Sequence, residues 1–117
     1  MRMLKSGNNR STRMRGIVSR GLVIEQPRVS LILDGKKTWE MRTRPTRVRG
    51  WIGLIEKGSD TIIGVAYLKD SLSALERSKH RLHYRRHRIP LEPGQKVYKG
   101  KNLFPWVWVP RTFPWLT

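Results

Sequence analysis

Two short apolar runs, Trp51 to Ile55 and Ile62 to Leu68, stand on either side of the polar turn Lys57-Gly58-Ser59-Asp60. That pattern reads as a β-hairpin. Gly53 and Gly64 lie inside the two strands, where glycine suits a tight bend or a bulge in a small barrel. Only one stretch ahead of the hairpin reads as a helix. Pro27 occupies a favourable first-turn position, Val29, Leu31, Ile32 and Leu33 supply an apolar face, and Gly35 ends it. One helix among several short antiparallel strands predicts a mainly β, α+β chain: a compact β-barrel with peripheral helices.

The remaining elements fit one small domain. At 117 residues, 38% of them hydrophobic, the chain has material for a single modest core. Leu22-Val23-Ile24 predicts the first strand and Thr38 to Arg42 another, followed by a loop at Arg44-Pro45-Thr46. Ser71 is placed to cap a short helix running through Leu75 to Lys79, and Pro90, Pro93 and Gly94 predict a turn before a last strand from Lys96. The segment Phe104-Pro105-Trp106-Val107-Trp108-Val109-Pro110 is aromatic and broken by proline. This divides the chain into a disordered basic arm over residues 1–20, a folded domain over 21–109 and an irregular tail over 110–117. The arm carries Arg2, Lys5, Arg10, Arg13, Arg15 and Arg20 and no acid. Three readings of it stay open: a disordered arm, a transit-peptide-like leader, or an extension ahead of a start at Met14. No stretch approaches the roughly 20 apolar residues of a membrane-spanning helix. Cysteine is absent, which excludes disulfides and thiolate metal sites. A cytoplasmic chain is the default expectation.

Charge points to the partner. Lys and Arg number 25 against 8 Asp and Glu, a net charge of +17. Self-repulsion on this scale opposes a compact monomer, so a polyanion is the expected partner: RNA, single-stranded or structured, with DNA as a further candidate. The plainer alternative is a solvated charged face. Besides the arm, cations gather in a block at residues 77–88, with Arg77, Lys79, Arg81, Arg85, Arg86 and Arg88 around His80, His83 and His87. The histidines follow helical spacing, but six neighbouring cations would repel a metal ion, so they are expected to face solvent and no metal or cofactor is assigned.

Between the helix and the next strand stands Gly35-Lys36-Lys37-Thr38-Trp39-Glu40-Met41-Arg42. Strand alternation sends Thr38, Glu40 and Arg42 to one face, with Lys37 at the corner. A cation, a carboxylate and a guanidinium in one small area suit a phosphate or a base edge. The alternative is an ordinary surface Glu–Arg pair. Candidate nucleic-acid-binding residues are Lys36, Lys37, Trp39, Glu40, Arg42, Arg44, Arg47, Arg49, Arg85, Arg86 and Arg88. Lys37 and Arg42 are expected to be exposed at a cleft, and Trp39 to face either RNA or the core.

Gly35, Lys37, Glu40 and Arg42 match Gly-x-Lys-x-x-Glu-x-Arg, and the chain resembles the ASCH family, a branch of the PUA-like fold. Leu22 to Ile24 leading into Pro27, Arg49 to Leu54, and Ile63 to Ala66 are similar to the family's flanking elements, so the resemblance covers about residues 21–76. It implies a six-stranded or similar barrel with a cleft over the motif, RNA binding there, and hydrolase activity in some members. Members that deacetylate a modified cytidine carry threonine where this chain has Glu40; others, described as ribonucleases, rely on the motif lysine, here Lys37. Tyr67 occupies a strand position where relatives often carry a polar or acidic residue.

Two functions follow as expectations. The first is an RNA-binding module with a positive groove and aromatic platforms among Trp39, Trp51, Tyr67, Tyr84, Trp106, Trp108 and Trp115. The alternative is a hydrolase acting on RNA or a modified nucleoside, in which Lys37, its pKa lowered by burial and by Lys36 and Arg42, is the base and Glu40 a proton carrier. The C-terminal end carries a separate expectation. Pro110 and Pro114 forbid a further central strand, which predicts an incompletely closed barrel whose aromatic residues Trp106, Trp108, Phe113 and Trp115 find too little core; either they drive weak self-association at an open edge, or the N-terminal segment or the aromatic tail folds back and plugs the gap.

Overall fold

A computed structural model of the chain describes residues 20–91 and 97–110, together with the backbone of residues 3–5. The expected hairpin is present: β4, Gly50–Glu56, and β5, Thr61–Ser71, pair antiparallel across the 57–60 turn. The register shifts between Leu54 and Ile55, opposite Gly64 and Ile62, leaving Ile63 as the extra residue of a bulge. Gly64 is required for a second reason. A Cβ there would stand 2.5 Å from Leu33 Cδ2, so only glycine lets the helix lie this close to the strand.

That helix, α1, Arg28–Leu33, starts after Pro27 and ends where Gly35 takes φ 77°, a left-handed conformation suited to glycine. It follows β2, Arg20–Ile24, and precedes β3, Trp39–Arg42. Because the chain passes through α1 and β3 before reaching β4, β2 and β4 pair in parallel, with Gly21 opposite Gly53 and Ile24 opposite Glu56. The sheet is therefore mixed where all-antiparallel pairing was expected. A short strand β1, Met3–Lys5, pairs antiparallel with β2, so part of the arm expected to lack structure is a strand, as is Arg20 at its end; the rest of the arm lies outside the described residues.

The aromatic segment read as broken by proline is strand β6, Phe104–Trp108, which lies between β5 and β3. Sheet order is β1-β2-β4-β5-β6-β3, mainly β and open, as an incompletely closed barrel requires. The opening is not at the C-terminal strand. The edge strands are β1 and β3, and Arg42 Nη2 of β3 donates at 3.4 Å to the carbonyl oxygen of Val23, the β2 residue just past those that β1 pairs. Paired on both sides, β6 offers no free edge, and Trp106 and Trp108 are buried. The part of the self-association argument that rests on a free β6 edge and on Trp106 and Trp108 is thereby removed; Phe113 and Trp115 lie outside the described residues.

Strand alternation builds two cores. Leu22, Ile24, Ile52, Leu54, Ala66, Leu68, Trp106 and Trp108 fill the barrel interior with Val29 and Ile32 of α1. On the other face of β3 and β6, Trp39, Met41 and Val107 pack with Tyr98 and Leu103. A cover closes this second core. Residues 72–76 form no helix, and they are followed by two 3₁₀ turns, Arg77–Lys79 and Arg81–His83, and a short helix α2, Tyr84–His87. The strand expected from Lys96 is not seen: residues 92–96 are outside the described region and residues 97–101 form turns. No helix among the described residues is long and apolar enough to cross a membrane.

Candidate nucleic-acid interface

Glu40 is opposite Trp106 in the β3–β6 register, so both side chains enter the barrel interior. There Glu40 Oε1 lies 3.6 Å from Lys37 Nζ and Glu40 Oε2 lies 3.1 Å from Arg42 Nη2. Neither carboxylate oxygen has a hydrogen-bond partner of good geometry among the described residues, so charge is what holds them. The exposure expected of Lys37 and Arg42 is not found: residue exposure is 1% for Lys37, 0% for Glu40 and 9% for Arg42. The cover explains this. Lys37 Nζ donates to the His87 carbonyl oxygen, Thr38 N–H to Arg86 O at 3.0 Å, and Arg88 Nε to Lys36 O at 3.0 Å.

Burial lowers the Lys37 pKa from its ordinary 10.5 to about 8, mainly by desolvating the ammonium; Glu40 opposes the shift, and Arg28 and Arg42 add to it. Lys36, expected to contribute, is not among the causes. Arg42 is lowered by the same desolvation, against the pull of Glu40. An NMR titration of the Lys37 side chain should therefore show a midpoint near 8; a midpoint near 10 would mean that water reaches the ammonium.

The predicted residues fall into three groups. Arg42 and Arg44 line a cavity of about 620 Å³ at the mouth of the barrel, with Arg20, Thr43, Pro45 and Trp106. The Arg42 guanidinium carbon lies 5.5 Å from the centroid of the Trp106 ring, and Trp106 Nε1 donates to the Arg44 backbone carbonyl at 2.8 Å, so the indole faces the Arg42 guanidinium and holds the Arg44 backbone. Arg42 Nε has no hydrogen-bond partner, which leaves the guanidinium with unused donor capacity. Arg47 and Arg49 line an adjoining cavity. Lys37 and Glu40 are buried and line neither. Lys36, Trp39, Arg85, Arg86 and Arg88 belong to the far side of β3. There Trp39 is buried, its ring 4.8 Å from that of His83 and beneath Arg86 at 5.6 Å.

The histidines expected to face solvent do not all do so. His80 and His87 are buried with rings 4.1 Å apart. His87 Nδ1 accepts from Ile89 N–H at 2.9 Å while Nε2 donates to His80 O at 2.7 Å, and His80 bridges Tyr98 Oη at 3.0 Å and Ile89 O at 2.9 Å. Two cations escaped the sequence reading. Arg20, assigned to the arm, opens β2 and lines both cavities. Arg28 acts on Lys37 and Arg42 from α1. The one available signal for Arg28 was a cation in a helix's first turn, against the dipole.

Comparison with known proteins agrees with this layout. The crystal structure of ASCH from Zymomonas mobilis superposes with a TM-score of 0.63 at 17% identity, covering 76% of this chain and 65% of its own. Two single-residue mutants of the same Zymomonas protein superpose equally well, at 18% identity with TM-scores of 0.62 and 0.63. This chain thus spans about two thirds of that neighbour's length, and the likeness is one of fold. No curated protein matches the sequence. The family profile described as the ASCH domain matches residues 22–113, through the motif strand, the hairpin and β6, and the chain belongs to the ASCH domain family.

Proposed function

We propose that this ASCH domain binds single-stranded nucleic acid, RNA in particular, by drawing successive backbone phosphates to the arginines of the cavity at the barrel mouth. The observation that carries the reading is the cavity itself, in which Arg20, Arg42 and Arg44 meet the Trp106 ring with no carboxylate among the lining residues. Guanidinium forks suit phosphate oxygens, and an indole at the cavity wall suits a base or ribose. The Lys37–Glu40–Arg42 cluster then acts from behind: Glu40 fixes the guanidinium of Arg42 and Lys37 fixes Glu40. A cytoplasmic setting accords with such a partner.

A hydrolase reading draws on one observation, the lowered pKa of Lys37, which suits a general base. Against it, Lys37 sits behind the cover and lines neither cavity. Binding is the better-supported conclusion.

The test is fluorescence anisotropy with labelled single-stranded RNA in chelator, with the same samples scored for cleavage on a gel. Three phosphate contacts predict a logarithmic salt slope near −2, so affinity should fall about twentyfold between roughly 50 and 200 mM salt. Arg44→Ala should weaken binding and reduce the slope by about 0.7 while moving stability by less than about 0.5 kcal/mol. Lys57→Ala, at the opposite end of the hairpin, should have the smaller effect on binding. Equal effects of the two substitutions would remove the cavity from the site, and cleavage abolished by Lys37→Met would restore the hydrolase reading.

A further inference from the structure

The outer face of the β4–β5 hairpin carries an aromatic pair that neither core uses. Ile52, Leu54, Ala66 and Leu68 point into the barrel, so alternation turns Trp51 and Tyr67 outward. The two residues are direct partners in the register, with ring centroids 5.3 Å apart and planes at 88°. Tyr67 is 38% exposed, which is uncommon for an aromatic residue in the middle of a strand. Such a pair alone is ordinary cross-strand packing. Its surroundings are not neutral, however.

A second cavity of about 400 Å³ reaches Trp51 and is lined by Arg20, Arg47, Val48, Arg49 and Ile52. It shares Arg20 and Val48 with the cavity at the barrel mouth, so the two are contiguous. Arg49 is fixed as a wall by donating to Thr46 O at 2.9 Å and Val48 O at 2.7 Å, with Asp70 at 3.5 Å as its counter-charge. Arg20 and Arg47 form no ion pair among the described residues, so their charge is available to a ligand. Three cations leading to a pair of aromatic rings match a single nucleic-acid strand, whose phosphates and bases alternate along one path.

We propose that a strand held in the cavity at the barrel mouth continues past Arg20 and Arg47 and stacks a base on the Trp51–Tyr67 pair. The proposal rests on the binding function above and extends it, making the outer sheet face a second contact that only a longer strand reaches.

Anisotropy with a labelled dinucleotide and a labelled octanucleotide separates the two contacts. Tyr67→Ala should weaken octanucleotide binding by about tenfold, the scale of one lost base stack, and leave dinucleotide binding unchanged. Trp51→Phe keeps a ring and should retain octanucleotide affinity while removing part of the tryptophan quenching that the octanucleotide causes. If wild-type protein binds both oligonucleotides and Tyr67→Ala affects both equally or neither, the second contact is refuted while the first stands. Unchanged octanucleotide affinity with a lower melting temperature would assign the pair to packing alone. If the wild-type protein binds neither, the cavity reading falls and this proposal falls with it.

Discussion

Glu40→Ala is expected to destabilise the domain by about 3–5 kcal/mol, the usual cost of removing one partner from a buried ion cluster. The carboxylate is fully buried and is the counter-charge of both Lys37 and Arg42, each already destabilised as a cation by desolvation. Without Glu40 the two cations remain in the barrel interior, with Arg28 adding repulsion. Lys37 has an escape: its pKa, already near 8, would fall further and the amine would lose its proton. Arg42 has none, because a guanidinium does not deprotonate at accessible pH. Glu40→Gln retains the volume and a carbonyl acceptor, so it should cost distinctly less. Lys37→Met should also cost less than Glu40→Ala, since it removes a desolvated charge and leaves the Glu40–Arg42 pair in place. Urea unfolding of the three variants orders these effects. A Glu40→Ala variant within 1 kcal/mol of the native protein, by a measurement good to about 10–15%, would show that water solvates the cluster.

That a loss of stability, not of surface charge, is expected at the motif marks the limit of what the sequence makes legible. The hairpin, α1 and the motif strand follow from local chemistry: apolar runs over 51–55 and 62–68, a turn at 57–60, proline before the helix and Gly35 after it. Burial of Lys37 and Glu40 depends on the carbonyl of His87 and the backbone of Arg86, some fifty residues later, and no local pattern carries that information. The same cause hid the cover. A block of six cations reads as solvated, yet His80, His87 and Ile89 anchor it through hydrogen bonds to one another and to Tyr98. Proline misled the reading of β6. Pro105 lies within a strand paired on both sides, where its carbonyl oxygen accepts from Leu72 N–H at 2.9 Å and the N–H it lacks is one ladder bond forgone. Of the site itself, Arg42 and Arg44 were readable from the motif and the loop that follows. Arg20 was not, because its role depends on β2 beginning at the barrel mouth.

The cover should also make the domain acid-sensitive in a window above the carboxylates. Burial pushes His87 from its ordinary 6.5 down to about 4, with His80, Lys37 and His83 adding repulsion and the hydrogen bond to the His80 carbonyl opposing the shift. Geometry gives the reason. A proton added at Nδ1 would confront the Ile89 N–H that this nitrogen accepts, leaving two donors face to face, while the neighbouring rings of Tyr84 and His80 offer no negative charge. Between pH 6.5 and about 4 the unfolded chain therefore binds a proton that the folded chain refuses, so stability is fully present above pH 6.5 and falls as pH drops through that window. A shift from 6.5 to about 4 corresponds to at most about 3 kcal/mol. The loss would fall on the segment whose His87 carbonyl holds Lys37 and whose Arg86 carbonyl holds Thr38, so mild acid should loosen the back of the motif strand before the hairpin unfolds. Hydrogen exchange at pH 7 and pH 5, corrected for the pH dependence of the intrinsic rate, reads this directly, with lower protection factors expected at Thr38 and Ile89 at pH 5 and little change within β4. His87→Gln, which cannot titrate, should flatten the dependence of the unfolding midpoint between pH 6.5 and 4.5. A midpoint that still falls as steeply in that variant would acquit His87 and place the acid sensitivity elsewhere.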